Sequence, residues 1–174
     1  MIALYIIVGI IALFLIVAAF AGTAWSYEKS VLINAPVEKV WTNLSTLRAC
    51  NQWSPWMEKD PNVKLQYSGA DGAPGSSFSW DSADKNVGAG NQTITKVNPN
   101  SEVDSRIEFL RPFKGKGDAY LILTVERAIT RVSWGIDSST PWPMNILKLF
   151  GVIEKNMSRD FTHGLNKLKR LCEG

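Results

Sequence analysis

The chain has 174 residues, enough for one domain of ordinary size together with a short additional segment. Its 19 basic and 16 acidic side chains leave a formal net charge of only +3, and the first charged residue is Glu28. This small, dispersed excess of positive charge argues against a nucleic-acid partner. The two cysteines, Cys50 and Cys172, lack a spacing typical of metal sites. We therefore expect two free thiols, no metal and no cofactor.

The N-terminal segment is long and apolar enough to cross a bilayer. Residues 2–22 carry no charge, and at about 1.5 Å per residue a helix of that length spans roughly 31 Å. Trp25 and Tyr27 follow, where amphipathic rings favour the membrane interface. A signal peptide is the alternative, since 19–21 (AFA) could be a cleavage site, but a basic N-terminal region is missing. We expect a membrane anchor over 1–25 and a folded domain over 26–174.

The orientation of this single-pass protein rests on few residues. No Lys or Arg precedes the apolar segment, whereas Lys29 and Lys39 follow it closely. Because basic residues are enriched on the cytoplasmic side of membrane spans, this asymmetry favours a cytoplasmic domain.

The stretch 33–56 (INAPVEKVWTNLSTLRACNQWSPW) organises the beginning of the domain. Pro36 suits the first turn of a helix, and apolar residues recur after it at spacings of three and four up to Leu47. This pattern predicts a strand end, one helix over 36–47, and then a loop over 48–62 that carries Trp53 and Trp56.

The motifs I-N-A-P-x-E-K-V-W and W-S-P-W in this stretch resemble those of the START-like superfamily. The resemblance is greatest to the polyketide cyclase/dehydrase-type SRPBCC proteins of bacteria and extends over roughly 28–171. It implies a helix-grip fold, in which a curved antiparallel sheet wraps around a long C-terminal helix. It also implies an apolar ligand cavity between the sheet and that helix, although a fold alone does not define an activity.

Six or seven short strands are predicted next. The alternation of apolar and polar residues that marks a half-buried strand is found in each segment. The strands are predicted over 28–34, 63–67, 76–81, 92–97, 103–110, 119–126 and 131–137. With helices only near the two ends of the domain, the fold class is α+β with an antiparallel sheet.

The last helix is predicted over 144–172, after a proline-flanked loop that carries Trp142. Its apolar stripe comprises Ile146, Phe150, Ile153, Met157, Phe161, Leu165, Leu168 and Cys172. Gly151 interrupts the pattern and could separate a short helix from a longer one. His163, the only histidine, falls outside the stripe and is predicted to face solvent.

Catalytic signals are sparse in this sequence. A Ser–His–Asp or Cys–His mechanism would need His163, the residue predicted to face solvent, so a hydrolase or protease is not favoured. Asp81, Glu108 and Glu126 lie on predicted strands, but alternation places them opposite the apolar residues, where solvated carboxylates are the simplest interpretation. No glycine-rich loop joins a strand to a helix as nucleotide binding would require.

The aromatic side chains are the stronger signal, and ordinary core packing is the alternative interpretation of them. The residues expected to line an apolar pocket are Trp53, Trp56, Phe78, Trp80, Phe109, Trp134, Trp142, Met157 and Phe161. We expect a membrane-anchored protein that binds a hydrophobic or amphipathic small molecule, with a lipid as one option. Two alternatives stay open: a cyclase- or dehydratase-like enzyme that uses a cavity carboxylate, and a non-catalytic stress-protection or partner-binding module.

Overall fold

A computed structural model describes residues 1–174. The helices are α1 (Ile2–Phe20), α2 (Val37–Thr42), α3 (Leu47–Trp53), α4 (Pro55–Lys59) and α5 (Val152–Glu173), with a 3-10 helix over Met144–Phe150. The strands are β1 (Ala24–Ile33), β2 (Lys64–Ser68), β3 (Ser77–Asp81), β4 (Ala89–Asn98), β5 (Glu102–Arg111), β6 (Gly115–Glu126) and β7 (Ile129–Ser139). All seven predicted strands are present.

The strands form one antiparallel sheet in the order β1-β7-β6-β5-β4-β3-β2. The sheet is curved, and α5 packs on its concave inner face, mainly against β1. The short helices α3 and α4 contact α5, and their Trp53 and Trp56 reach Trp134 of the sheet. The core lies between sheet and helices, where Ile33, Val132, Phe161, Leu165 and Leu168 are almost completely buried. The predicted α+β class with a helix-grip arrangement is therefore confirmed.

The expected single helix over 36–47 is wrong, because the chain breaks into α2 and α3. A new helix begins at Leu47, since the Thr46 hydroxyl accepts a hydrogen bond from the Ala49 N–H at 3.1 Å. The Asp71 carboxylate also accepts bonds from the Leu47 and Arg48 N–H groups, at 2.8 and 3.2 Å. These acceptors satisfy the free donors at the start of α3.

The expected loop over 48–62 is also wrong over most of its length. It contains the remainder of α3 and all of α4. The first residue of α4 is Pro55, and proline is well suited to the first turn of a helix. Trp53 and Trp56 therefore lie on helices rather than in a loop.

The predicted division at Gly151 is confirmed. Gly151 adopts the left-handed conformation at φ 64°, which suits glycine, and it separates the 3-10 helix from α5. Because the chain turns there, Phe150 does not continue the apolar stripe of α5 as expected and is 70% exposed.

Replacing the Thr46 cap tests why the predicted helix is broken. The change Thr46→Ala removes the side-chain acceptor of α3 and should lower the free energy of unfolding by about 1 kcal/mol, the usual cost of a lost N-cap. Thr95→Ala, at an exposed position of β4, is the matched control and should change it much less. Denaturant unfolding of both variants in mild detergent measures the difference; equal stability would show that Thr46 is not the cap.

Candidate functional site

The space between β7 and α5 is filled by five aromatic side chains, here called the Trp134 cluster. Trp134 and Phe161 stack with their ring centroids 4.0 Å apart and their planes 9° apart. Tyr27, Trp53 and Trp56 complete the cluster with edge contacts at centroid distances of 5.3, 5.0 and 5.7 Å. Such geometries are favourable for aromatic pairs, so the cluster ties α3, α4 and α5 to the sheet.

A second group of aromatic side chains, the β3 row, lies on the inner face near the other edge of the sheet. Tyr67, Phe78, Trp80 and Phe109 follow one another with centroid separations of 5.8, 5.6 and 6.2 Å. Phe78 is buried, whereas the other three are half-buried. This row is therefore an accessible apolar surface on the inner face.

Gly90 is required for the position of Trp80. A Cβ atom at Gly90 would lie 2.6 Å from the Trp80 ring and 2.4 Å from the Glu108 carbonyl oxygen. The Trp80 indole N–H donates to the Val87 carbonyl at 3.2 Å, so the indole has its polar partner while its ring covers the strand.

Small and polar side chains lie between the two aromatic groups. Ala119 and Ser105 face each other on β6 and β5, and the Gln92 side-chain amide donates to the Ser105 hydroxyl at 2.7 Å. They border a partly open cavity of about 30 Å³. Its lining comprises Leu44, Thr46, Leu47, Cys50, Gln92, Ile94, Val103, Ser105, Ala119, Tyr120, Leu121 and Trp134. A water molecule needs about 10–15 Å³ of such volume, so the cavity has room for only one or two waters.

The titratable groups among these lining residues are poor acids and bases at neutral pH. Burial raises the pKa of the Cys50 thiol to about 12, with a smaller effect from the negative charge of Asp71. The thiol donates to the Leu44 carbonyl at 3.2 Å. Burial also raises the pKa of Tyr120 to about 12, and its hydroxyl donates to Glu28 at 3.0 Å on the outer face. The lining contains no carboxylate, histidine or lysine.

An open groove of about 290 Å³ lies at the β2–β3 edge of the sheet. Its lining is mostly polar and comprises Gln66, Tyr67, Ser68, Ser77, Phe78, Ser79, Asn91 and Thr93. The polar members share the outer face of β2, β3 and β4. Because this surface is shallow and polar, it lacks the apolar enclosure typical of small-molecule sites.

The predicted site residues separate into three places. Trp53, Trp56, Trp134 and Phe161 belong to the Trp134 cluster, and Phe78, Trp80 and Phe109 belong to the β3 row. Met157 is half-buried on α5 against the core. Trp142 is separate: it is 55% exposed, and its indole nitrogen approaches the Leu15 carbonyl of α1 at 3.5 Å.

Other residues of the interior were not predicted. Tyr67 belongs to the β3 row, and its alternation with Leu65 was a usable signal. No sign in the sequence indicated that Gln92 and Ser105 lie in the interior, because polar residues on strands are usually assigned to the solvated face. Their contact also depends on the register of β4 and β5, which the sequence pattern does not determine.

A network of charged side chains joins α4 to α5 outside the cavity. Glu58 accepts hydrogen bonds from Lys167 and pairs with His163, whose position at the surface is as predicted. Lys59 donates to Asp160 at 2.8 Å, and Asp160 is only 8% exposed. Asp160 is the most buried carboxylate among the ion pairs.

Hydrogen bonds from Lys167 and His163 hold the pKa of Glu58 below its ordinary value. A carboxylate whose pKa is lowered by folding stabilises the protein above its ordinary pKa, and this contribution is lost as the pH falls through the lowered value. Glu58→Gln should therefore reduce the stability of the protein at neutral pH. The stability of the variant should also fall less steeply than that of the wild type as the pH is lowered. Because Glu58 is 41% exposed, we expect an effect within about 1 kcal/mol. Melting temperatures across an acid pH series test this; parallel curves for the two proteins would contradict it.

The seven-stranded sheet, the helix α5 and the apolar interior define an α+β protein of the helix-grip class. The chain belongs to the family described as polyketide cyclase/dehydrase and lipid transport, whose model matches residues 24–173. This membership confirms the resemblance identified from the sequence motifs. It supports a ligand-binding or cyclase-like role and a small hydrophobic ligand.

Solved structures show the same fold at low sequence identity. The Zhui aromatase/cyclase from Streptomyces sp. R1128 has a TM-score of 0.61 and 15% identity, with 86% of this chain and 94% of that chain covered. Protein CV1439 from Chromobacterium violaceum has a TM-score of 0.61 and 14% identity, with coverage of 86% and 97%. Protein MLL2253 from Mesorhizobium loti has a TM-score of 0.59 and 17% identity, with coverage of 84% and 96%. A search of curated proteins finds no match to this chain.

One helix, α1, is long and apolar enough to cross a membrane. A signal sequence near the N-terminus has the same properties, so this feature fits either an anchor or a signal sequence.

Proposed function

We propose that the protein binds an apolar or amphipathic small molecule between the sheet and α5, while α1 anchors it in a bilayer. The ligand lies against the β3 row, with the Trp134 cluster and Met157 bordering the site towards α5. Trp142 lies apart from this interior and belongs to the membrane side of the molecule.

The observation that carries this proposal is the chemistry of the inner face. Three aromatic side chains of the β3 row are half-buried, so they present apolar surface that a ligand would cover. The polar side chains that line the cavity are few and uncharged, and two of them, Gln92 and Ser105, are hydrogen-bonded to each other. A mostly apolar surface with a few polar groups is typical of small-molecule sites.

Binding requires the interior to widen. This cavity measures about 30 Å³, whereas ligand sites commonly measure about 300–1,000 Å³. The part that must move is the link between α2 and α3 together with the start of α3, because Leu44, Thr46 and Leu47 form one wall of the cavity. These short helices follow one another without a continuous backbone ladder, which makes them the simplest part of the wall to displace.

A cyclase-like enzyme is the second candidate, and Asp160 is the observation that favours it. This carboxylate is 8% exposed and lies next to Phe161 of the Trp134 cluster. In this structure it is held by Lys59 and Arg159, at 2.8 and 3.1 Å. An acid–base role would require Asp160 to leave these partners and face the ligand.

The anchoring part of the proposal rests on the composition of α1. If α1 is an uncleaved span, the full chain should stay in the membrane pellet after washing with carbonate and then with high salt, because about 19 apolar residues resist extraction. N-terminal sequencing of the pelleted protein is the control. Release into the supernatant, or a mature N-terminus near residue 22, would contradict the anchor.

We also propose that the folded domain is cytoplasmic, because Lys29 and Lys39 follow the apolar segment. Digestion of sealed vesicles with protease tests on which side of the membrane the domain lies.

Photolabelling tests ligand binding in the intact protein. The full chain is reconstituted in phosphatidylcholine nanodiscs with a fatty acid that carries a diazirine near the end of its chain. After illumination and digestion, mass spectrometry should find adducts on the peptides that carry Trp80 and Phe109. Excess unlabelled oleic acid should remove these adducts. Adducts on α1 report contact with bulk lipid and serve as the internal control; labelling confined to α1 would contradict the proposal.

A further inference from the structure

Apolar side chains are exposed at the end of the sheet where α1 meets the domain. Gly117 pairs with Ser138, and Ser139 pairs with Ala24, so the β5–β6 turn, the segment after β7 and the end of α1 all lie at this end. The exposed apolar residues there are Leu110, Phe113, Trp142, Met144, Leu149, Phe150 and Val152. We call this set the apolar rim. Phe113 and Phe150 are 71% and 70% exposed, an unusual state for two phenylalanines at one end of a domain.

Side-chain hydrogen bonds fasten the rim to the end of α1. The Asn145 amide donates to the carbonyl oxygens of Ala18 and Ala21, at 2.7 and 2.5 Å. The Lys148 ammonium donates to Gly22 and Ala24, at 2.6 and 3.1 Å. Asn145 is 1% exposed, so the contact is closed to solvent. These bonds satisfy carbonyl groups at and just beyond the C-terminal end of α1.

The depth of this contact along α1 places the rim close to lipid. The 19 residues of α1 span about 28 Å, nearly the thickness of a hydrocarbon core. Trp142 approaches the carbonyl of Leu15, which precedes the end of α1 at Phe20 by five residues, or about 8 Å along the helix axis. A side chain at that level next to a membrane span lies at or below the headgroups. The rim cannot then be surrounded by bulk water.

We propose that the apolar rim lies in the boundary between headgroups and acyl chains of the leaflet from which α1 emerges, with bilayer lipid as its occupant. This inference rests on the proposed anchoring by α1. Trp142 suits the boundary because its ring is apolar and its N–H is polar. Lys114, which is exposed and makes no ion pair, follows Phe113 and favours anionic headgroups. The end of the ligand site at Trp80 and Phe109 then lies close to the membrane, because Phe109 pairs with Gly115 beside the β5–β6 turn.

The test measures the environment of single fluorophores on the full chain. Phe150→Cys and Phe113→Cys are labelled with a nitrobenzoxadiazole group and reconstituted in phosphatidylcholine vesicles containing phosphatidylglycerol. Ser101→Cys, exposed in the β4–β5 turn at the opposite end of the sheet, is the matched control. Cys172 is buried and the Cys50 thiol is protonated at neutral pH, and the labelled wild type gives the background.

Probes at 150 and 113 should be quenched by lipid that carries a spin label near the headgroup. Iodide in the water should quench them at least about threefold less than the probe at 101, as expected for a group held in the membrane boundary. Equal iodide quenching at all three positions would overturn the inference. Protection from both quenchers would also overturn it, because a second copy of the chain would then cover the rim. Carbonate extraction of the same vesicles separates the two proposals: a protein that is released has no anchor, whereas an anchored protein with water-exposed probes contradicts only the rim.

Discussion

Replacing Phe161 by alanine should lower the free energy of unfolding by about 3–5 kcal/mol, the usual range for a large buried aromatic residue. Phe161 is 1% exposed and stacks on Trp134 at 4.0 Å, with Tyr27 against its edge. Its removal takes away both contacts and leaves a cavity between α5 and the sheet. Denaturant unfolding of the full chain in mild detergent measures the loss.

Phe113→Ala is the matched control, because the same side chain is 71% exposed there. His163→Ala is a second control on α5 itself, since its side chain is half exposed. Both should stay within about 0.5 kcal/mol of the wild type, as expected of surface substitutions. A loss clearly below 3 kcal/mol for Phe161→Ala would show that its surroundings are open or collapse easily. A large loss for His163→Ala would contradict the assignment of the faces of α5.

Filling the interior should abolish ligand binding. Ala119 is 6% exposed on the inner face of β6, faces Ser105 and Ile136 on the neighbouring strands, and lines the cavity. A phenylalanine there exceeds the space of about 30 Å³, so Ala119→Phe should cost about 1–3 kcal/mol by overpacking. It should reduce photolabelling of the Trp80 and Phe109 peptides at least about tenfold, because it occupies the volume that the ligand needs.

Thr124→Phe is the control for this substitution, because it adds the same ring to an exposed position of the same strand. It should leave labelling of the interior unchanged. Labelling of α1 should persist in both variants, which shows that the protein is inserted and that a lost interior signal is not a failure of reconstitution. A circular dichroism melt establishes that Ala119→Phe is folded. Unchanged interior labelling in folded Ala119→Phe would contradict the location of the site.

The sheet was predictable because its strands carry a local signal. On β6, Ala119, Leu121 and Leu123 alternate with polar or exposed residues, and the structure buries these three side chains. The family motifs supplied the arrangement of sheet and C-terminal helix, which alternation alone does not determine.

The break between α2 and α3 was not predictable from the same kind of evidence. It depends on Asp71, a residue 24 positions after Leu47 that accepts hydrogen bonds from its N–H. Likewise, Phe150 continues the helical spacing, but the left-handed backbone of Gly151 turns the chain and exposes it. Both errors arise because tertiary contacts or a single backbone conformation overrule a local pattern.

The site was predictable by residue type more than by arrangement. Aromatic side chains were expected in the interior, and most of them are there, but their division into the Trp134 cluster and the β3 row follows from strand register. Trp142 has the same composition signal as Trp53, yet one is 55% exposed beside α1 and the other is 2% exposed in the core. The spacing of residues in the sequence does not distinguish these two environments.

Native mass spectrometry of the detergent-extracted full chain tests the proposed ligand binding most directly. The proposed function predicts a species heavier than the bare chain by the mass of one small apolar molecule, because a filled interior excludes water from the inner face. The Ala119→Phe variant should lack this species, and Thr124→Phe should retain it. If the wild type is found only as the bare chain, even after incubation with fatty acids, or if Ala119→Phe retains the added mass equally, the interior does not hold the ligand.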